Sequence, residues 1–436
     1  MVSPLNKKVG FGGQWLKYKI RAKSLGKALS ISVANQVVSS GTNFGMGVYL
    51  VRVLSPEDYG LYGIGFAISL FYAGIGNALF LLQMVVLAPN KALEDRLPYA
   101  ARIFLTVLCF AFLSFLLVIL IFIIGGFGSS LLVQYKQYGI GVAAASASYL
   151  VKEFYVRHAY NVRREGLALA IHFVLAASLI VLLSGLHFVN QTVSVEVAIW
   201  AYAFAHAVAS LSGYFLAGLP LQGITCDSMI EDVKDAWHGG KWALLTNFVY
   251  FMRIHAHTII IAAVIGPLGV AKLNASRLFV TPAVMLTPAL SQVFLPWMAN
   301  TNGDSPKQAH FIGQLFTLAL LGVAIIYSLS ILSAFDFVSP LIVGERYDSI
   351  FWLVAAWCVY ACVMSLRNGQ EIMVQVYKVF KKQMFATTLS AIFTIFFVWL
   401  LSGVIGIVGA VLGMCIGECL LVWFYCRKGF RNILTN

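Results

Sequence analysis

Apolar residues along this chain come in unbroken runs rather than at every second or fourth position. The runs recur from residue 28 to residue 426, each about 20 residues long, the length a helix needs to cross ~30 Å of hydrocarbon. Only helices and closed barrels satisfy their backbones in lipid, and runs this long are not barrel strands. The pattern predicts twelve spans, near 28–51, 60–88, 102–124, 132–151, 165–187, 195–219, 240–264, 268–297, 311–333, 350–366, 384–402 and 404–426. The expected fold class is an all-α polytopic membrane protein of about 12 transmembrane helices. The basic leader enters a full-length first span without a small-residue cleavage site, so it reads as an arm and not a signal peptide.

Composition agrees. Of 436 residues, 60% are hydrophobic and 11% charged, against roughly a quarter charged in a soluble chain. Lysine and arginine set the orientation. With both termini cytoplasmic, the predicted outer loops hold only Arg52, Lys136 and Arg346 of the 30 basic residues. The net charge of +13 is then topology and attraction to anionic lipid, and nucleic acid is not an expected partner. The seven cysteines show no metal-ligand spacing. Phosphate-binding glycine loops, metalloprotease histidine pairs and nucleophile elbows are missing too. No resident cofactor is implied, and an enzyme is not expected.

The polar segment LQGITCDSMIEDVKDAWHGGK at 221–241 divides the chain. The domains expected are a basic arm (1–27), a six-helix lobe (28–220), a linker carrying a short amphipathic helix (221–239), a second six-helix lobe (240–426) and a basic tail (427–436). The lobes repeat one signature. Span one leads to VRVLSPEDYGLYGIGFAI and span seven to AAVIGPLGVAKLNASRLF; aligning Pro56 on Pro267 sets Gly60 on Ala271. Repeated six-span units related by a pseudo-twofold axis place a transporter's site between the halves.

LSPEDYGLYGIGFAI resembles the opening hairpin of the bacterial O-antigen and polysaccharide flippases, within the multidrug/oligosaccharidyl-lipid/polysaccharide (MOP) exporter superfamily. GPLGVAKLNASRLFVTPAVMLTPALSQVFLPWMA is similar to the family's eighth-span segment, although Lys272-Leu273 stands where a tyrosine is frequent. The resemblance implies a multi-pass protein of the bacterial cytoplasmic (inner) membrane. Its cargo would be an undecaprenyl-diphosphate oligosaccharide, an O-antigen or similar lipopolysaccharide repeat unit, flipped to the outer leaflet by alternating access. Implied partners are membrane lipids and polysaccharide polymerase or assembly proteins.

The stretch FMRIHAHTIII carries the sharpest chemistry. A charge at bilayer depth costs about 2.5–3.5 kcal/mol or more, so it normally faces a cavity. Thr246, Tyr250, Arg253 and His257 share one face of span seven, with His255 pointing away from it. Asn274, Arg277, Thr281 and Pro288 share a face of span eight, with Lys272 nearer the outer mouth. Of 17 acidic residues, only Glu418 is expected at depth; it can pair with one membrane arginine as a structural partner, but one carboxylate is too few to neutralise Arg253, Lys272 and Arg277. The expected site is therefore cationic and suits a diphosphate, which arginine grips through paired donors. Asn35 and Ser39, with Thr42, are candidates for binding sugar hydroxyls or for helix packing. His206 reads as packing or a weak cavity contact, and His172 receives no role. Glu418 and His257 are equal candidates for coupling to H+ or Na+, and Pro282 and Pro288 for a hinge.

Two other classes stay open. A multidrug exporter of the same superfamily would need acidic residues for cationic drugs. A membrane-embedded glycan ligase or polymerase would need a larger outer loop than 334–349.

Overall fold

The computed structural model describes residues 11–125, 136–189, 193–347, 349–377 and 379–427. Among these, all regular structure is helical. The helices are α1 (Phe11–Val53), α2 (Pro56–Gly76), α3 (Leu82–Leu87), α4 (Arg96–Gly125), α5 (Lys136–Asn161), α6 (Glu165–Val189) and α7 (Val195–Ala217). They continue as α8 (Cys226–Val264), α9 (Pro267–Leu278), α10 (Thr281–Asp304), α11 (Pro306–Ser333), α12 (Phe335–Val343), α13 (Phe351–Val376) and α14 (Phe380–Cys426). A π-helical turn at Asn77–Leu81 joins α2 to α3.

Where they are described, the predicted spans fall on helix to within a few residues, and eight described helices are long and apolar enough to cross a membrane. Positions 132–135 of span four, 1–10 of the basic arm and 428–436 of the tail lie outside the described residues. Helices α1, α5, α9 and α10 are not among those eight, and they carry several of the polar side chains of the cavities described below, among them Asn43, Asn274, Arg277 and Thr281. Several boundaries differ from the sequence reading. The linker helix is not separate: α8 runs unbroken from Cys226 through span seven. Spans eleven and twelve form one helix, broken at Ile405 and Gly406, where φ at Gly406 is 67°. Span eight breaks at Phe279–Val280 instead of at a mid-helix proline. Pro282 occupies the first turn of α10, where proline lacks no needed hydrogen bond. Pro288 lies on the backbone of α10.

The repeated signature builds two equivalent hairpins. In the first, the Ser55 hydroxyl caps α2 by accepting from the Asp58 amide at 3.1 Å. Pro56 takes the opening position, and Glu57 and Asp58 complement the helix dipole. In the second, Pro267 opens α9 after Gly266, whose φ of 90° excludes a side chain at low energy. The two hairpins meet. α2 packs along α9, and Gly60 lies so close to Pro267 that an added Cβ would fall 1.8 Å from its carbonyl oxygen. We call this the hairpin end. Here Arg346 also donates to the Val53 and Leu54 carbonyls at 3.3 and 2.9 Å, and Arg52 to that of Pro340 at 3.4 Å. At the other end, Asp232 of α8 holds Arg102 at 2.5 Å and Lys91 at 3.5 Å. One buried apolar cluster runs through both halves.

Candidate functional site

Between the halves lies a cavity of about 340 Å³. From the first half it is lined by Asn43, Phe44 and Gly47 of α1 and by Tyr59, Tyr62, Gly63 and Phe66 of α2. From the second it takes His255 and Thr258 of α8, Asn274 and Arg277 of α9, and Thr281 of α10. The hairpin turns bring these residues together from segments about 200 positions apart.

Arg277 is the charge of this cavity. It sits in the last turn of α9, where the negative end of the helix dipole favours a cation. Its guanidinium lies 5.8 Å from the ring centre of Trp357, a contact that holds a cation without neutralising it. Trp357 is itself fixed by a hydrogen bond from its indole N–H to the Ser276 hydroxyl at 3.1 Å. Among the described residues, no carboxylate pairs with Arg277. The neighbouring Asn274 amide likewise makes no hydrogen bond to a described residue, and it rests against α2 because Gly63 leaves the room. A guanidinium with open donors beside a free amide suits an anionic, hydrogen-bonding ligand.

Arg253 does something else. It is buried inside the second half and donates to Glu418 Oε1 at 2.5 Å. Arg367 donates to the other Glu418 oxygen at 2.8 Å and pairs with Glu371, which accepts from Gln383 at 2.9 Å. Two arginines and two carboxylates thus alternate across α8, α13 and α14. The single stripe from Tyr250 to His257 therefore does not line the interlobe cavity. Tyr250 is half exposed beside a separate cleft shared with Glu371 and Gln383. Arg367 and Glu371, which the sequence places beyond span ten, continue its helix near the C-terminal end.

The two histidines exchange roles. His255, expected to point away, lines the cavity beside Arg277 and stacks on Phe251 at 4.7 Å. His257 is buried, edge-on to Trp357 at 5.9 Å, and among the described residues neither ring nitrogen has a hydrogen-bond partner of good geometry. A helix curving between two lobes presents neighbouring turns to different surroundings, which a straight helical wheel misses. Lys272 is half-buried on α9 outside the cavity lining.

Asn35 and Ser39 line a different cavity of about 370 Å³, within the first half, with Glu153, Tyr160 and His172. There Lys152 pairs with Glu153 and lies 3.5 Å from His172 Nε2. His172 Nδ1 meets the Asn35 oxygen at 2.7 Å, and the Asn35 amide donates to the Tyr160 hydroxyl at 2.7 Å. A lysine can only donate, so Nε2 accepts and Nδ1 carries the proton. His172 thereby gains a structural partner set, and Lys152 and Glu153, assigned to a loop from sequence, belong to the bundle. His206 packs between Tyr149 and Tyr202, as read from the sequence.

The sequence reading missed Asn43, Tyr59, Tyr62 and Phe66 as cavity residues. The two tyrosines stood inside the quoted YGLY signature at a spacing of three, which is the signal that was available.

No protein-family model matches the sequence, and no curated protein matches it. Solved structures do match the fold. The lipid II flippase MurJ in an inward closed conformation aligns with a TM-score of 0.73 at 13% identity, over 91% of this chain and 86% of that one. An inward-facing multidrug resistance MATE family transporter of the MOP superfamily aligns at 0.68 and 13%, over 91% and 94%. A MOP superfamily transporter from Pyrococcus furiosus, described by the reverse polarity of its binding pocket, aligns at 0.61 and 14%, over 95% and 96%. The chain has the all-helical membrane-transporter fold shared by MurJ and the MATE proteins of the MOP superfamily.

Proposed function

We propose that this protein is a flippase for a polyprenyl-diphosphate-linked oligosaccharide, an O-antigen or similar surface-polysaccharide repeat unit. It carries the headgroup from the cytoplasmic to the outer leaflet of the bacterial inner membrane, and both termini are cytoplasmic. One observation carries the reading: Arg277 lies in the interlobe cavity with no acidic partner among the described residues. A half-buried cation at membrane depth without a counter-ion favours a visiting anion, and a diphosphate is the anion of such a lipid. The hairpin end, taken as the outer side, is closed in this structure, so the headgroup enters from the cytoplasmic side while the lipid tail stays in the bilayer. Opening of the hairpin end then releases it outside.

A multidrug exporter is the second reading, favoured by the MATE neighbours. Against it, the described cavity lining offers Arg277 and no carboxylate for a cationic drug. The deep Glu418 is engaged by two guanidiniums, which leaves His257 the better coupling candidate for H+.

The test is flipping of a labelled undecaprenyl-diphosphate oligosaccharide in proteoliposomes. Arg277→Ala is expected to slow flipping at least roughly tenfold, the loss of one charge-assisted contact, while leaving the melting temperature near that of wild type. Wild-type flipping by Arg277→Ala would overturn the anion site.

A further inference from the structure

The wall facing Arg277 is not polar. Tyr59, Tyr62 and Phe66 stand at a spacing of three and four along α2, hence on one face, and all three line the cavity. Their rings keep nearly one orientation: Tyr59 and Tyr62 centroids are 6.5 Å apart with planes 18° from parallel, and Tyr62 and Phe66 are 6.1 Å apart at 22°. The row is pinned at both ends by edge-on rings. Tyr347 meets Tyr59 at 75° and Tyr202 meets Phe66 at 78°. In the middle, the Tyr62 hydroxyl donates to Met46 Sδ at 3.5 Å. Rings locked this way lose little freedom when a ligand covers them; in this closed state Phe66 is the more open, and Tyr59 and Tyr62 show less than a tenth of their surface.

Among the apolar side chains that complete the lining, Asn43, Thr258, Asn274 and Thr281 supply hydrogen-bonding groups. A ligand for this cavity therefore combines three chemistries, namely an apolar C–H face, several hydroxyl or amide groups, and an anion. A prenyl tail has only the first and free pyrophosphate only the last. A pyranose joined to a diphosphate has all of them, because one face of the sugar ring presents polarised C–H bonds to the negative face of an aromatic ring.

We propose that Tyr59, Tyr62 and Phe66 form the wall on which the diphosphate-proximal sugar of the lipid-linked substrate stacks, and that this wall sets a preference for glycosylated over bare lipid. The proposal rests on the flippase reading above and assigns a role to the two tyrosines of the YGLY signature. It also moves sugar recognition from Asn35 and Ser39, which line a separate cavity, to α2.

Binding of two probes to the full-length protein in nanodiscs tests it: undecaprenyl diphosphate, and the same lipid carrying one hexose. Wild type is expected to bind the glycosylated lipid more tightly than the bare one. Tyr62→Leu and Phe66→Leu should each erase roughly 2- to 10-fold of that preference, one aromatic contact apiece, with bare-lipid affinity unchanged. Tyr62→Phe keeps the ring and should keep the preference, which separates stacking from loss of fold. Arg277→Gln should weaken both probes equally. Leucine variants with an undiminished preference, or a wild type that binds both lipids alike, overturn the sugar wall and leave the diphosphate site standing. A wild type that binds neither lipid overturns the flippase reading itself.

Discussion

Arg253 and Arg277 lie on consecutive helices, α8 and α9, yet they belong to different regions of the molecule. Arg253 is inside the second half, locked to a carboxylate that a second arginine also holds. Arg277 faces the cavity between the halves with an aromatic ring behind it and, among the described residues, no carboxylate. The difference teaches that charge inside a membrane protein does not by itself mark a site. What marks it is whether the protein supplies the counter-charge. A paired arginine is part of the architecture, and removing it damages the fold. An unpaired one is an unfinished contact, and removing it damages binding.

The largest expected effect tests that division directly. Glu418→Ala leaves Arg253 without its carboxylate and Arg367 with Glu371 alone. Breaking a buried charge pair this way costs about 3–5 kcal/mol, so the variant should melt far below wild type in detergent and express poorly. Replacing Arg253 by methionine in the Glu418→Ala background should recover part of the loss, because it removes one of the stranded charges. A Glu418→Ala protein that melts like wild type would erase the distinction between the two arginines.

How much of this was legible beforehand follows the same line. The apolar runs locate the long helices because hydrocarbon thickness is a constraint on length, and local sequence reports length well. The repeated proline turns locate the interlobe contact because a proline at a helix start has a local cause. Arg277 was found from its depth. The pairing of Glu418 with Arg367 was not, because residues 51 positions apart are joined only by the packing of α13 on α14. Placing Arg367 in a loop concealed a partner that would have explained Arg253. His255 and His257 were interchanged for a related reason: a helical wheel gives relative directions, but the neighbours on each side come from tertiary structure. Asn35 and Ser39 were correctly read as polar positions on one helix, yet the wheel does not say that α5 and α6 close a separate cavity around them.

A smaller effect is expected where the pairing is half exposed. Asp232 is buried, while its partners Arg102 and Lys91 keep 20% and 30% of their side-chain surface in solvent. Water already competes for those cations, so Asp232→Asn should weaken the seam between α8 and the first half by about 1–2 kcal/mol. Hydrogen exchange across 226–241 should quicken several-fold. Unchanged protection there would mean that apolar packing at this end, including the close fit of Gly240 against Leu79, suffices without the ion pairs.

The smallest effect belongs to the hairpin end, where the cation is exposed. Arg346 donates to the last carbonyls of α1, the negative end of that helix dipole, so the contact has the right sign. Being exposed, it is worth about 0.5–1 kcal/mol. Arg346→Ala should thus shift the closed-to-open ratio at this end only roughly 2- to 5-fold. Spin labels placed at residues 57 and 268 of a cysteine-free protein report that ratio as a distance distribution. Gly60 against the Pro267 backbone is untouched by this change, and a contact with no room for a methyl group holds through packing, whatever the salt. If Arg346→Ala opened the hairpin end fully, an exposed ion–dipole contact would outweigh close backbone packing. The ordering of charges by burial, from Glu418 through Asp232 to Arg346, would then fail at its weakest member.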